Sequence, residues 1–260
     1  MLLKNKTAII TGGASGIGFA TAEELLKHGV SKILLIDLNE SLNPDLKAQL
    51  NACNQNAEIF YAQCDVSNKL QLEKILRQDA IQWLGSIDIL VNSAGVLEGS
   101  AAHCIGVNLI GLIECTFITI DLMTKEKSGT GGFIVNISSI AGLEPYPIAV
   151  VYTASKFGVT GFTRSLGTDL LYNRTGVKLA VVCPGATETK MIQEAGDHMC
   201  TYPWMMPAAR ELLAKFTMQQ PSAVGKCVVK AITEGETGSI WVASEDKIIP
   251  IQTEQCKFKF

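Results

Sequence analysis

Thr7-Ala-Ile-Ile-Thr-Gly-Gly-Ala-Ser-Gly-Ile-Gly18 is the stretch that decides the fold. Its first five residues form an apolar run of strand length, and glycines at 12, 16 and 18 then turn the chain into a helical pattern over 16–28. A strand that passes through glycines into a helix brings unpaired N–H groups and the positive end of the helix dipole to one spot. A pyrophosphate can approach such backbone closely, because no side chain stands in its way. The spacing here is Gly-x-x-x-Gly-x-Gly and departs from the Gly-x-Gly-x-x-Gly dinucleotide fingerprint, so the turn needs support from the rest of the chain.

Working outward, the strand-then-helix rhythm repeats. Apolar runs at 7–11, 32–37, 58–63, 87–91, 132–138, 178–183 and 240–242 alternate with helical patterns near 16–28, 43–54, 69–84, 101–126, 151–174 and 221–234. Each run is almost wholly apolar, as in parallel strands covered on both faces. The reading is an α/β fold, a doubly wound three-layer α/β/α domain that takes in residues 1–260. One stretch breaks the rhythm. From 186 to about 220 there is no strand signal, and Met191, Met199, Tyr202, Pro203, Trp204, Met205, Met206 and Pro207 crowd together. An insertion beyond a strand's carboxyl end is where a substrate lid sits in such sheets. A helical pair packed onto the core is the other reading, since Met and aromatic residues are ordinary core fillers.

Composition narrows the class. The 260 residues are 47% hydrophobic and 18% charged, enough to build a large core and too apolar for a disordered chain. A net charge of −3 argues against nucleic acid or an anionic membrane as the main partner. No uninterrupted apolar run reaches the roughly 18–20 residues of a bilayer span, and the most apolar helical stretch, 109–123, carries Glu114 and Asp121. The first residues lack a signal-peptide plan, so a cytoplasmic location is expected. The eight cysteines, at 53, 64, 104, 115, 183, 200, 227 and 256, include no Cys-x-x-Cys pair and read as reduced thiols. His28, His103 and His198 have no neighbours at metal-ligand spacing, and no metal is expected. Sequons at Asn5, Asn136 and Asn173 read as coincidence, and Cys256 stands one residue too far from the end for a prenylation signal.

Two positions turn the glycine-rich loop into a cofactor reading. Asp37 ends the run 33–36, nineteen residues beyond Gly18, where an acid accepts hydrogen bonds from an adenosine ribose. Its charge repels a 2′-phosphate, and neither 13–15 nor 38–39 supplies a Lys or Arg to neutralise one, which favours NAD over NADP. Tyr152 and Lys156 stand four apart in a helical pattern and share one face. A phenol titrates near 10, too high for a base at neutral pH; a neighbouring ammonium and a positive nicotinamide ring would bring it down. Lys156 could also hold the nicotinamide ribose. Ser139 lies thirteen residues before Tyr152, just past an apolar strand, and could place a hydroxyl on a substrate oxygen. Ser138 is the alternative, because neighbours on an extended segment point to opposite sides.

Gly12-x-x-x-Gly16-x-Gly18, Asn92-Ser93-Ala94-Gly95, Asn108, Ser139, Tyr152-x-x-x-Lys156 and Pro184-Gly185 follow one another in the order and spacing of the short-chain dehydrogenases/reductases. The chain resembles that family from Thr7 to about Val242, and within it most resembles the 15-hydroxyprostaglandin dehydrogenases and then the insect-type alcohol dehydrogenases. The resemblance implies a Rossmann-like fold with a seven-stranded parallel sheet. It implies Tyr152 as general acid/base, Ser139 polarising the substrate oxygen, Lys156 holding the ribose and lowering the tyrosine's pKa, and Asn108 maintaining a proton-relay water. For NAD it implies Gly12, Ser15, Gly16, Ile17 and Gly18 at the phosphates, and Asp37 and Leu38 at the ribose. Asp65 and Val66 would meet the adenine, Asn92, Ala94 and Gly95 the adenosine and ribose region, and Pro184, Gly185, Thr187 and Thr189 the nicotinamide. A homodimer or homotetramer through the helices near 101–126 and 151–174 is also implied.

The substrate side departs from the prostaglandin-oxidising members. Ala149 stands three before the tyrosine, where they carry a glutamine, and Ala186 follows Pro184-Gly185 where they carry a large aromatic. Both changes enlarge the pocket and remove a hydrogen bond. The substrate-side set is therefore Ser139, Ala149, Tyr152, Ala186, Met191, Tyr202 and Trp204 around a lipophilic, steroid- or terpenoid-like secondary alcohol. The expected activity is its NAD-dependent oxidation to a ketone, or the reverse reduction. The alternative of another kind is a non-catalytic nucleotide-binding descendant with a structural or storage role.

Overall fold

The computed structural model describes residues 2–97, 99–194 and 200–252. All seven apolar runs become strands: β1 (Thr7–Thr11), β2 (Lys32–Asp37), β3 (Glu58–Gln63), β4 (Ile89–Asn92), β5 (Gly132–Ile137), β6 (Val177–Pro184) and β7 (Ser239–Ser244). They pair in parallel in the order β3-β2-β1-β4-β5-β6-β7. Strand order reverses direction between β1 and β4, which opens a crevice at their carboxyl ends. Alternation explains why the strands read as wholly apolar. Ile10, Leu35 and Val91 face the layer formed by α1 (Gly16–Lys27), α2 (Pro44–Cys53) and the last helix, Pro221–Glu234, whereas Ile9, Leu34 and Leu90 face the opposite layer.

The expected seven-stranded sheet gains an eighth strand, β8 (Lys247–Ile251), antiparallel to β7. The hairpin turns through Glu245 and Asp246 at φ of +53° and +59°, the left-handed pair a two-residue connection requires. The sequence concealed it for two reasons: the turn holds no glycine, and Pro250 demotes the run. Proline is tolerated there because β8 is the sheet's edge.

The second helical layer starts with α3 (Lys69–Lys74) and α4 (Ala80–Leu84), joined by a π turn at Ile75–Asp79. Next come α5 (Ala101–Ile105) and α6 (Leu112–Met123), joined by a π segment at Gly106–Gly111. Together α5 and α6 make a continuous 23-residue helix, Ala101–Met123, long and apolar enough by length and composition alone to cross a membrane. Its Val107, Leu112, Cys115, Ile118 and Met123 are buried in the fold. The expected helix over 151–174 is two, α7 (Val150–Leu166) and α8 (Asp169–Thr175). Gly167 separates them, where a Cβ would stand 2.6 Å from the Gly238 nitrogen.

The excursion beyond β6 carries α9 (Lys190–Gln193), a 3₁₀ turn at Pro203–Met205 and α10 (Met206–Leu213), before α11 (Pro221–Glu234) returns to the sheet. It shares features of both sequence readings. Ala209, Met206 and Leu213 pack with Ile148, Ala149 and Tyr152 in a small satellite core, so the segment is a packed helix that also roofs the crevice. The seven cysteines among the described residues are free thiols. Met199, His198 and the tail with Cys256 lie outside the described residues.

Candidate active site

The site grows from the first turn. Gly12 sits at φ +66°, and a Cβ there would lie 2.8 Å from the Cα of Ala94; a Cβ on Gly18 would strike the carbonyl oxygen of Gly12. These contacts leave bare backbone at the start of α1. Ser15 caps that helix from extended backbone without spending its hydroxyl on it. Asp37 does more than end a strand. Its Oδ2 accepts the Ala14 N–H at 2.9 Å and its Oδ1 the Leu38 N–H at 2.8 Å, which ties the glycine loop to the tip of β2. Thr11 Oγ1 accepts from the N–H groups of Ser93 and Ala94 at 3.1 and 3.2 Å, fixing the tip of β4 against β1. Asp65 Oδ1 accepts from the Ser67 backbone and hydroxyl at 2.9 and 2.7 Å, which shapes the loop after β3.

At the other end the two serines separate as alternation demands. Ser138 is buried, donates to the Lys156 carbonyl at 2.9 Å and meets Thr160 Oγ1 at 2.9 Å, so it pins α7 to β5. Ser139 lines the crevice, where its Oγ accepts the Ala141 N–H at 3.1 Å and stands near Tyr152. Both serines reach the cavity wall, and of the two Ser138 alone is tied to the α7 backbone. Lys156 Nζ lies 5.5 Å from the centre of the Tyr152 ring and donates to the Ile137 carbonyl at 3.0 Å.

The electrostatics differ from the sequence expectation. Enclosure pushes the Tyr152 phenol up to about 12, with the nearby Ser139 hydroxyl opposing it only in part. Burial likewise pulls the Lys156 ammonium down to about 8. Desolvation favours the neutral form of both groups, and the lysine alone does not turn the phenol into a base.

Asn108 is fully buried in the π segment, one turn of helix that opens the regular ladder. Its side chain clamps Val96 from both sides: Oδ1 accepts the Val96 N–H at 2.7 Å and Nδ2 donates to the Val96 carbonyl at 2.9 Å and to Ser155 Oγ at 3.1 Å. The amide thus positions the Gly95–Val96 backbone beside Lys156.

A cavity of about 400 Å³ joins the two ends. Of the cofactor set, Gly12, residues 15–18, 37–38, 65–66, 94–95, Pro184, Gly185, Thr187 and Thr189 line it, and so do Ser139, Tyr152, Lys156, Ala186 and Met191. Besides Asn108, four expected residues stand elsewhere. Asn92 is buried and donates to Asn136 Oδ1 and Thr116 Oγ1 at 2.8 and 3.0 Å, bracing the sheet rather than facing the cavity. Ala149 is buried in the satellite core at the start of α7. Tyr202 and Trp204 stack on one another 5.9 Å apart and are 54% and 73% exposed, outside the cavity wall. The walls the sequence did not reveal are Leu97, Tyr146, Ile192, Leu213 and Phe216, which make the substrate half apolar. The only signal was faint: Tyr146 stands between two prolines just before α7, and Leu213 and Phe216 are three apart in the excursion.

The short chain dehydrogenase family pattern matches residues 6–199, and the chain belongs to that family of oxidoreductases. Across 252 residues, 96% of each chain, it is 35% identical to an alcohol dehydrogenase 2 of Ceratitis cosyra. It is also 35% identical over 256 residues to the 15-hydroxyprostaglandin dehydrogenase [NAD(+)] of Rattus norvegicus, covering 97% of this chain and 96% of the relative. A short chain dehydrogenase/reductase from Burkholderia phymatum, solved in complex with NAD, superposes with a TM-score of 0.79 at 25% identity over 94% of this chain and 90% of that one. Oxidation or reduction at an alcohol carbon is the chemistry of the site.

Proposed function

We propose that the chain oxidises lipophilic secondary alcohols to ketones, or runs the reverse reduction, with NAD as hydride carrier and Tyr152 as the proton-transferring group. The observation that carries this reading is the meeting of Ser139, Tyr152 and Lys156 at one end of a cavity whose other end is closed by Asp37.

The residues fit a dinucleotide. Bare backbone at Gly12 and Gly18 and the unspent Ser15 hydroxyl suit a pyrophosphate at the α1 N-terminus. The Asp37 carboxylate retains lone pairs for ribose hydroxyls beside its two backbone donors, and its charge disfavours a 2′-phosphate. Bound there, NAD supplies a hydride-accepting carbon and a positively charged ring. The chain's own groups do the rest. Ser139 accepts the Ala141 N–H and keeps its own proton to donate to the substrate oxygen. Tyr152 Oη takes the carbinol proton, and added positive charge beside it is what lowers a phenol held at about 12. Lys156 supplies part of that charge, and Asn108 fixes the backbone next to it. Leu97, Tyr146, Leu213 and Phe216 exclude water and give an apolar body somewhere to lie.

Tyr152→Phe tests the assignment. NADH binding, read by fluorescence, stays within about threefold, whereas alcohol oxidation falls by at least about 10³-fold. Retained turnover would remove Tyr152 from the mechanism. We also propose self-association through α5–α6 and α7, whose outward residues Ile110, Phe117, Val150 and Phe157 are exposed and apolar.

A further inference from the structure

Gln219 ends the excursion, is 1% exposed, and joins three separate parts of the molecule. Its backbone N–H donates to the Ala186 carbonyl at 3.0 Å and its carbonyl accepts the Glu188 N–H at 2.9 Å, a short parallel bridge across the neck of the excursion. Its side chain then bonds outward. Nε2 donates to Thr187 Oγ1 at 3.2 Å and to the Ala243 carbonyl in β7 at 2.6 Å, and Oε1 accepts the Asp246 N–H of the β7–β8 turn at 3.4 Å. Thr187 in turn donates to the Gly185 carbonyl at 2.9 Å. Gln220 adds a bond at the rim, from Nε2 to Glu188 Oε2 at 2.6 Å.

The neck matters because of what it holds. Residues 184–187 and Thr189 line the cavity on the side where β6 ends, and a Cβ on Gly16 would meet the Thr189 methyl at 3.2 Å. The segment between β6 and α9 therefore leans on the glycine loop from one side and on Gln219 from the other. Its backbone belongs to no regular element, and beyond the Gly185 N–H bond to the Ala243 carbonyl at 2.7 Å its ties to the sheet run through Gln219. A glutamine meets this geometry well, because one side chain carries two donors and an acceptor and is long enough to span from the neck to β7.

We infer that Gln219 is a positioning residue for cofactor binding: it buckles the base of the excursion to β7, so the 185–189 wall stays fixed. This rests on the dinucleotide reading above. In Gln219→Met, similar in volume but without side-chain hydrogen bonds, the wall loses its tie to the sheet. The KM for NAD and the Kd for NADH rise about tenfold, the effect of one or two lost buried hydrogen bonds, while the KM for the alcohol changes less than about twofold. Thr187→Val, a milder change that removes one hydroxyl and leaves the bonds from Gln219 to β7 and the turn, gives about a threefold rise. Added to Gln219→Met it gives little more, because both break the Nε2–Oγ1 contact.

NADH titration of the unmutated chain, both single variants and the double variant, with melting temperatures alongside, decides the matter. A purely structural glutamine would lower the melting temperature and leave the ratio of the two KM values unchanged in both single variants, and that result overturns the inference. Equal rises in both KM values also overturn it. If the unmutated chain binds no dinucleotide, the functional reading falls first and this inference falls with it. If the unmutated chain binds and the variants match it, only this inference is lost.

Discussion

Lys156 is the residue at which function and stability pull apart. It is 5% exposed, makes one hydrogen bond to the Ile137 carbonyl, and is held at about 8 against an ordinary 10.5. At pH 7 it is charged in both the folded and the unfolded chain, and only the folded chain bears the desolvation. Between pH 8 and 10.5 the unfolded chain holds a proton the native one has released, so stability climbs with pH across that window. Lys156→Met removes the penalty and one hydrogen bond. The variant should lose turnover yet resist urea at pH 7 better than the parent, by about 2 kcal/mol in the absence of cofactor. The difference should shrink as pH rises from 8 to 10.5, and a constant gap would show that charge burial is not its cause.

Asp37 carries a second expectation at this scale. Because its carboxylate also accepts the Ala14 N–H, Asp37→Ala loosens the phosphate loop as well as losing the ribose acceptor. Affinity for NAD should fall more than tenfold, and NADP should gain nothing, since no cation stands at 38–39. Pairing it with Leu38→Arg should let NADP bind, as competitive titrations would show. Which residues cluster was legible from spacing in the chain. What Asn92 and Asn108 do there was not, because their partners Asn136 and Val96 lie 44 and 12 residues away and no local pattern encodes those bonds.

At the scale of elements, the long helix Ala101–Met123 and the loop after β3 meet at Gly111. A Cβ there would stand 2.7 Å from the Val66 carbonyl oxygen, a backbone atom that cannot rotate away. The π segment that presents Asn108 thus touches the loop that shapes the adenosine end of the cavity. Gly111→Ala must push one from the other. The expected outcome is a loss of about 1–3 kcal/mol in stability with a raised KM for NAD, checked by urea denaturation beside initial-rate kinetics. Unchanged stability would mean the contact relaxes without strain. Strand positions were readable because burial on both faces leaves a continuous apolar run. The π segments were not, since a single inserted residue barely shifts helical periodicity. The hairpin to β8 was hidden by a turn built from Glu245 and Asp246 instead of glycine.

For the molecule as a whole, the unfinished surface is the outer face of α5–α6 and α7. Ile110 and Phe117, two turns apart, are 48% and 49% exposed, and Val150 and Phe157, also two turns apart, are 48% and 42% exposed. Phe117 and Phe162 meet edge to face at 5.6 Å, which joins the two helices into one apolar face. Gly161 lies on it with open space where a Cβ would go, so another helix could approach the backbone there. Scattered apolar residues on a surface need no partner, whereas a connected stripe over two packed helices marks an interaction surface, which is the ground for the self-association proposed above. A symmetric pair of such stripes forms a four-helix contact around a two-fold axis, the commonest closed arrangement for identical chains. The unmutated protein should therefore sediment at no less than twice its 27.9 kDa chain mass. Phe117→Glu with Phe157→Glu places four like charges in the contact of a dimer and should shift sedimentation to the single-chain mass. Because α7 also carries Tyr152 and Lys156, the separated chain should lose turnover along with its partner. A double variant that still sediments with the parent would place the interface elsewhere on the molecule.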